Sequence, residues 1–183
     1  YFTLYRYYGG VPLVTEPTGP KPAYVPRATR QEMFKFLYDE MAYALDKCLD
    51  NRSGIAYGRV TKGAVAGMLA KMKIFHASYI RRAEMYGDKI NETTAGDVDK
   101  TTLYADAVKL CDDIIAGIYG TYELEEYFPA VFTKRNNEIM FSVLAEEGVG
   151  TGNKIPMGFA GEGKYGATGG RNLTSWLTLL YDI

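Results

Sequence analysis

The sequence predicts a mostly α fold: paired helices, irregular loops between them, and one or few short strands. Three observations predict it. Long stretches starting near Thr29, Thr61 and Thr101 carry apolar residues at three- and four-residue steps. Capping residues and glycines bracket those stretches. A single short run, Glu138 to Ala145, has the β-branched and apolar content of a buried strand.

Tyr1 to Tyr8 reads as the last turns of a helix, which Gly9 and Gly10 stop. Val11 to Pro26 holds five prolines, at 12, 17, 20, 22 and 26, and so is an extended connector that cannot continue a helix. Thr29-Arg-Gln-Glu32 fits a capping box, in which Thr29 and Glu32 each satisfy the other's exposed backbone donor. Behind it, Phe34, Leu37, Met41, Leu45 and Cys48 form one inward face, with Lys35, Asp39, Asp46 and Lys47 outside. Asn51 to Gly58 supplies the turn residues that end this helix.

Thr61 is the expected cap of a second long helix reaching Tyr86, with Val65, Met68, Leu69, Met72, Phe75 and Tyr79 buried. Ala64, Gly67 and Ala70 repeat at three-residue spacing and predict the close approach of a neighbouring helix. Lys71, Lys73, Arg81 and Arg82 read as its wet face. Gly87 to Lys100 is polar and reads as a surface insertion. Thr101 or Thr102 then caps a third helix with a stripe of Tyr104, Ala107, Val108, Cys111, Ile114, Ile115 and Ile118, closed by Gly117 to Gly120. The second and third helices make a hairpin with tetratricopeptide-like chemistry, in which the insertion stretches the usual repeat of ~34 residues.

Tyr122 to Phe132 is aromatic and irregular, and the expected strand follows it. Gly148 to Gly170 holds nine glycines, too many to pack a core, and reads as a long mobile loop. Asn172 to Asp182 looks like a further helix start, where Trp176 shares an apolar stripe with Leu173, Leu177 and Leu180. The whole is read as one partial domain over residues 1–183, with a helical-repeat core at 27–120 and a strand and Gly-rich region at 121–183. Helices expected to be cut at both ends would leave apolar stripes uncovered.

Composition narrows the chemistry. With 21 basic and 22 acidic residues spread along 183 positions, no electrostatic footprint for nucleic acid or anionic lipid is present. The 16 tyrosines are twice the 8 phenylalanines, and tyrosine serves both helix packing and stacking on sugar rings. Cys48 and Cys111 both fall on apolar stripes and read as small buried hydrophobes, with a disulfide between them left open. The single histidine, His76, lies mid-helix between Phe75 and Ala77, where packing is the expected role. The sequence contains no nucleophile elbow, phosphate-binding Gly loop or zinc-type ligand spacing, so no catalytic residue, metal or cofactor is expected. Glu125-Glu126 and Glu146-Glu147 are the carboxylate pairs a glycosidase would need, and both read as solvated surface. The Gly-rich loop pairs ring faces with planar polar groups. Phe159 and Tyr165, with Asn153, Arg171 and Asn172 around them, are the candidate ligand-binding residues.

Five blocks then stand in order over residues 1–145: Tyr8-Gly-Gly-Val-Pro-Leu-Val14; Pro26-Arg-Ala-Thr-Arg30 with Glu32; Gly58-Arg-Val-Thr-Lys-Gly-Ala64; Ala105-Asp-Ala-Val108 leading to Ile115-Ala-Gly117 and Tyr122-Glu-Leu124; and Asn136-Asn-Glu-Ile-Met-Phe141. Together they resemble the interior signature blocks of the SusD/RagB family. The resemblance implies a SusD-like α/α superhelix from a Bacteroidetes-type outer-membrane lipoprotein of polysaccharide utilisation. It implies capture of oligosaccharide or polysaccharide without cleavage, and delivery to a SusC-like TonB-dependent transporter for nutrient uptake. Membrane attachment is expected only through a lipid anchor outside this sequence, since the family's lipidated cysteine is absent from it. In the family the binding arc is carried on irregular loops, which points here to the Gly-rich loop. The alternative reading is a helical-repeat scaffold that binds a peptide or protein partner.

Overall fold

A computed structural model describes residues 1–17, 19, 24–50, 58–86, 96–133 and 136–142. All of them fall in the first of two compact units, Tyr1–Ser142; the second is Val143–Ile183. Among the described residues the chain is helical: α1 (Phe2–Tyr8), α2 (Arg30–Lys47), α3 (Lys62–Tyr86), α4 (Lys100–Ile115) and a single turn, α5 (Ala130–Thr133). The mostly α expectation holds.

Each boundary has a local cause. Gly9 ends α1 with φ of 68°, and its N–H returns to the Tyr5 carbonyl. A Cβ on Gly10 would stand 2.0 Å from the Ala28 carbonyl oxygen, so only glycine lets the strand-like stretch after α1 run beside the entry to α2. The Ala28 N–H bonds the Val11 carbonyl at 3.1 Å and ties the two together. The capping box of α2 forms as expected, with the Thr29 side chain on the Glu32 N–H and the Glu32 carboxylate on the Thr29 N–H. Thr61 Oγ1 accepts the Ala64 N–H and opens α3.

The cap of α4 differs from expectation. Asp99 accepts the N–H groups of both Thr101 and Thr102, at 3.0 and 3.2 Å, and the helix starts at Lys100. A carboxylate both accepts two donors and complements the positive end of the helix, an advantage the threonine hydroxyls lack.

The core lies along α3. Phe2, Tyr5, Met33, Phe34 and Leu37 pack near Met72, with edge-on ring pairs such as Tyr5–Phe34 at 5.0 Å between centroids. Farther along, Ala66, Leu69 and Ala70 meet Ala107 and Leu110, and Ala77 and Ile80 meet Leu103. The ring of Tyr38 borders all three groups. The small residues that admit α4 are thus Ala66, Ala70 and Ala77, all at or below 3% exposure. Gly67, assigned to that face from spacing, instead faces the Met140 side chain.

Four further expectations are corrected. The inward face of α4 is Leu103, Ala107 and Leu110, with Tyr104 and Ile114 packed beside it as expected, leaving Val108, Cys111, Ile115 and Ile118 exposed. Met68 of α3 is exposed as well, so the buried stripe there is Val65, Leu69 and Met72. Cys111 is therefore no buried hydrophobe, and Cys48, half-buried at the end of α2, is likewise a free thiol. The described part of the expected strand, residues 138–142, is bends and irregular backbone; 143–145 lie outside the described residues. No helix among the described residues is long and apolar enough to cross a membrane.

Candidate functional site

The five residues singled out from sequence, Asn153, Phe159, Tyr165, Arg171 and Asn172, lie outside the described residues, as do Glu146 and Glu147. The described unit brings together other groups.

The most buried of these is an ionic clasp. Arg30, the first residue of α2, is 1% exposed. Its Nη2 lies 2.6 Å from Asp97 Oδ2, and its Nε donates to the same carboxylate at 3.1 Å. The guanidinium also sits 4.8 Å over the Tyr79 ring. Asp97 belongs to the segment read as a surface insertion, yet its side chain is 3% exposed. Burial pulls the Arg30 pKa down, but the Asp97 hydrogen bond and charge outweigh it and the net shift is upward. Arg30 stays charged.

His76 completes the clasp from α3. Its imidazole stacks flat on Phe34 at 3.8 Å between centroids, and Nδ1 shares a 2.9 Å hydrogen bond with the Tyr38 hydroxyl. Nε2 is 3.5 Å from Asp97 Oδ1 and has no hydrogen-bond partner among the described residues. Burial lowers the His76 pKa against the pull of Asp97, and Arg30 and Lys73 push the same way as burial. Burial, helped by the charges of Asp106 and Asp97, raises the Tyr38 pKa. The phenol therefore keeps its proton and can donate it to Nδ1 of a neutral imidazole. Lys73, read as wet, lies largely covered above the Tyr38 ring at 4.9 Å and pairs with Asp106 of α4 at 2.7 Å. The chain of contacts ties α2, α3, the 96–99 segment and α4 together. With Asp97 bound by Arg30 and His76 sealed, it is a structural device.

A second arrangement holds the segment after α4. The Tyr122 ring lies against Gly63, where a Cβ would stand 2.1 Å from the phenol oxygen, and that oxygen is 3.2 Å from Thr61 Oγ1. Asn136 Oδ1 accepts the N–H groups of Glu138 and Ile139, while its Nδ2 donates to the carbonyls of Ala130 and Val131. Glu138 Oε2 accepts the Glu125 N–H at 2.8 Å, so Glu125 is tied into this framework by its backbone. Beside Tyr122 a small cleft of about 140 Å³ opens toward Arg59, Asn137 and Phe141.

The third feature is a groove of about 750 Å³ between α1 and the start of α2, floored by Phe75 and Tyr79 of α3. Tyr7 and Tyr8 stand on its rim, 77% and 67% exposed. Arg6 lies 5.9 Å from the rings of both Phe2 and Phe75. Arg27 donates from Nε to the Gly10 carbonyl at 2.7 Å and from Nη2 to the Tyr8 carbonyl at 2.6 Å. Sequence reasoning missed this groove because its walls come from residues far apart in the chain. One signal was available for the clasp: an arginine opening a helix opposes the helix dipole and so needs a partner elsewhere.

Among solved structures, a SusD-like protein from Bacteroides fragilis NCTC 9343 superposes with a TM-score of 0.55 at 22% identity, covering 78% of this chain. The fold is SusD-like.

The chain spans 24% of the length of that SusD-like protein. No protein-family model matches the sequence, and no curated protein matches it. Within the described residues, four of the blocks that carry the resemblance sit at joints. Gly10 makes the crossing under Ala28, Thr29 and Glu32 cap α2, Gly63 receives Tyr122, and Asn136 organises the turn after α5.

Proposed function

We propose that this chain is part of a non-catalytic cell-surface protein that captures glycans and passes them to a SusC-like TonB-dependent transporter. The observation that carries the reading is the SusD-like fold, matched over 78% of the chain. The physical logic supports it. A cross-braced helical frame holds its surface shape without rearrangement, so rings that it carries can meet a soluble ligand at little ordering cost. Rings and planar polar groups are the chemistry that neutral sugars need. On that chemistry, Tyr165 and Phe159 are the proposed stacking platforms, and Asn153, Arg171 and Asn172 the proposed hydroxyl partners. Attachment at the outer membrane through a lipid anchor is part of the same proposal.

Calorimetric titration of the full-length protein with a panel of oligosaccharides tests the reading. Saturable binding that Tyr165→Ala weakens supports it. Absence of binding to every sugar, with retention of a peptide or protein from the same panel, favours the helical-repeat scaffold instead.

A further inference from the structure

We infer that the groove between α1 and α2 is a subsite for acidic sugars, those bearing carboxylate or sulfate; this rests on the glycan-capture reading and names the ligand class for one place on it.

The groove is electrostatically one-sided. Among the described residues lining it are Arg6, Arg27 and Arg30, and no carboxylate. That is unusual for a chain whose 22 acids outnumber its 21 bases. Arg30 is satisfied by Asp97, while neither Arg6 nor Arg27 makes an ion pair among the described residues.

Arg27 is also oriented in advance. It uses two of its five N–H groups on the carbonyls of Gly10 and Tyr8, which leaves the rest of a planar fork for a bidentate anion. Those carbonyls lie at the negative end of α1 and would otherwise repel an anion, so the same contacts remove an obstacle. The anchor is rigid, because Gly10 is locked beneath Ala28 and its neighbour Val11 accepts the Ala28 N–H. Arg6 is held over ring faces, a contact that uses none of its N–H donors. Tyr7 and Tyr8, with ring centroids 6.4 Å apart, offer flat apolar surface to a sugar ring next to the two cations. An acidic sugar requires this combination: a ring face for its C–H bonds and a guanidinium fork for its anionic group.

The test is calorimetry of the full-length protein with a short oligogalacturonate, its carboxyl-reduced counterpart, a sulfated oligosaccharide and hexaglutamate. The inference predicts that the oligogalacturonate binds about tenfold or more tighter than its reduced form. It predicts that added salt narrows the gap, and that Arg6→Gln and Tyr7→Ala each weaken acidic-sugar binding several-fold while Lys47→Gln, on an exposed part of α2, does not. Binding of the sulfated sugar with the same dependence on Arg6 extends the site to sulfate; its failure restricts the site to carboxylates, and both agree with the inference. Equal affinity for charged and reduced sugars, or acidic binding untouched by Arg6→Gln and Tyr7→Ala, overturns the subsite and leaves glycan capture standing. Binding of hexaglutamate in place of every sugar overturns both.

Discussion

Asp97 closes on Arg30 across 67 residues of sequence, with side chains 3% and 0% exposed and a 2.6 Å contact between Oδ2 and Nη2. The pair fastens the segment before α4 to the first turn of α2, and His76 and Tyr38 extend the fastening into α3.

Breaking one side of this pair leaves the other charge buried alone. Asp97→Asn or Asp97→Ala is predicted to cost about 3–5 kcal/mol in urea unfolding. The double change Arg30→Met with Asp97→Leu is predicted to cost much less than the sum of its single changes, because no orphan charge remains. Additive losses would show that the two side chains act separately.

The histidine gives the stability a pH dependence of known sign. Its folded pKa is lowered from the ordinary 6.5 by burial, so just below that pH the unfolded chain takes up a proton that the folded chain refuses. Stability is therefore full above about pH 6.5 and declines as pH falls toward the lowered folded value. His76→Gln loses the stack on Phe34 and is less stable at every pH, but its urea midpoint is predicted to change less than wild type between about pH 7.5 and 5.5, a window above most carboxylate titration. Equal slopes would remove His76 from the account.

Gly63 and Tyr122 form a testable couple. Gly63→Ala is predicted to destabilise by about 1–3 kcal/mol, since its Cβ would meet the phenol oxygen at 2.1 Å. In a Tyr122→Ala background the same change should turn neutral or stabilising, as alanine's helix propensity shows through. Thermal melts of the four proteins read the sign reversal directly.

The thiols separate by exposure. Cys111 lies exposed on the outer face of α4, and Cys48 is half-buried at the end of α2. A thiol reagent should label Cys111 first, and Cys111→Ser should abolish the fast phase. A fast phase that survives Cys111→Ser would belong to Cys48 and contradict this order of exposure.

Periodicity and caps made α2 and α3 legible, because both signals are local: Thr29 and Glu32 sit three apart, and Phe34 and Leu37 share a face through the helix pitch alone. The face of α4 was misjudged because apolar residues surround that helix. A shift of one residue turns it by about 100°, and only the partner decides between the Leu103–Ala107–Leu110 face and the Val108–Cys111–Ile115 face. Apolar content over 138–142 pointed to a strand, but Asn136 captures the N–H groups that a ladder would use. Nothing local announces that Asp97 belongs inside; its partner is 67 residues away. The Arg6–Arg27 groove was hidden for the same reason, since α1 and the α2 entry meet only after Gly10 allows the crossing.

Under the proposed function, a sugar held by the braced SusD-like frame leaves it uncleaved. The full-length protein is titrated with a panel of oligosaccharides, and each sugar is then recovered and weighed by mass spectrometry. Saturable binding and return of the sugar at its original mass are the expected result. Shortened products, or no sugar bound at any concentration, would contradict it.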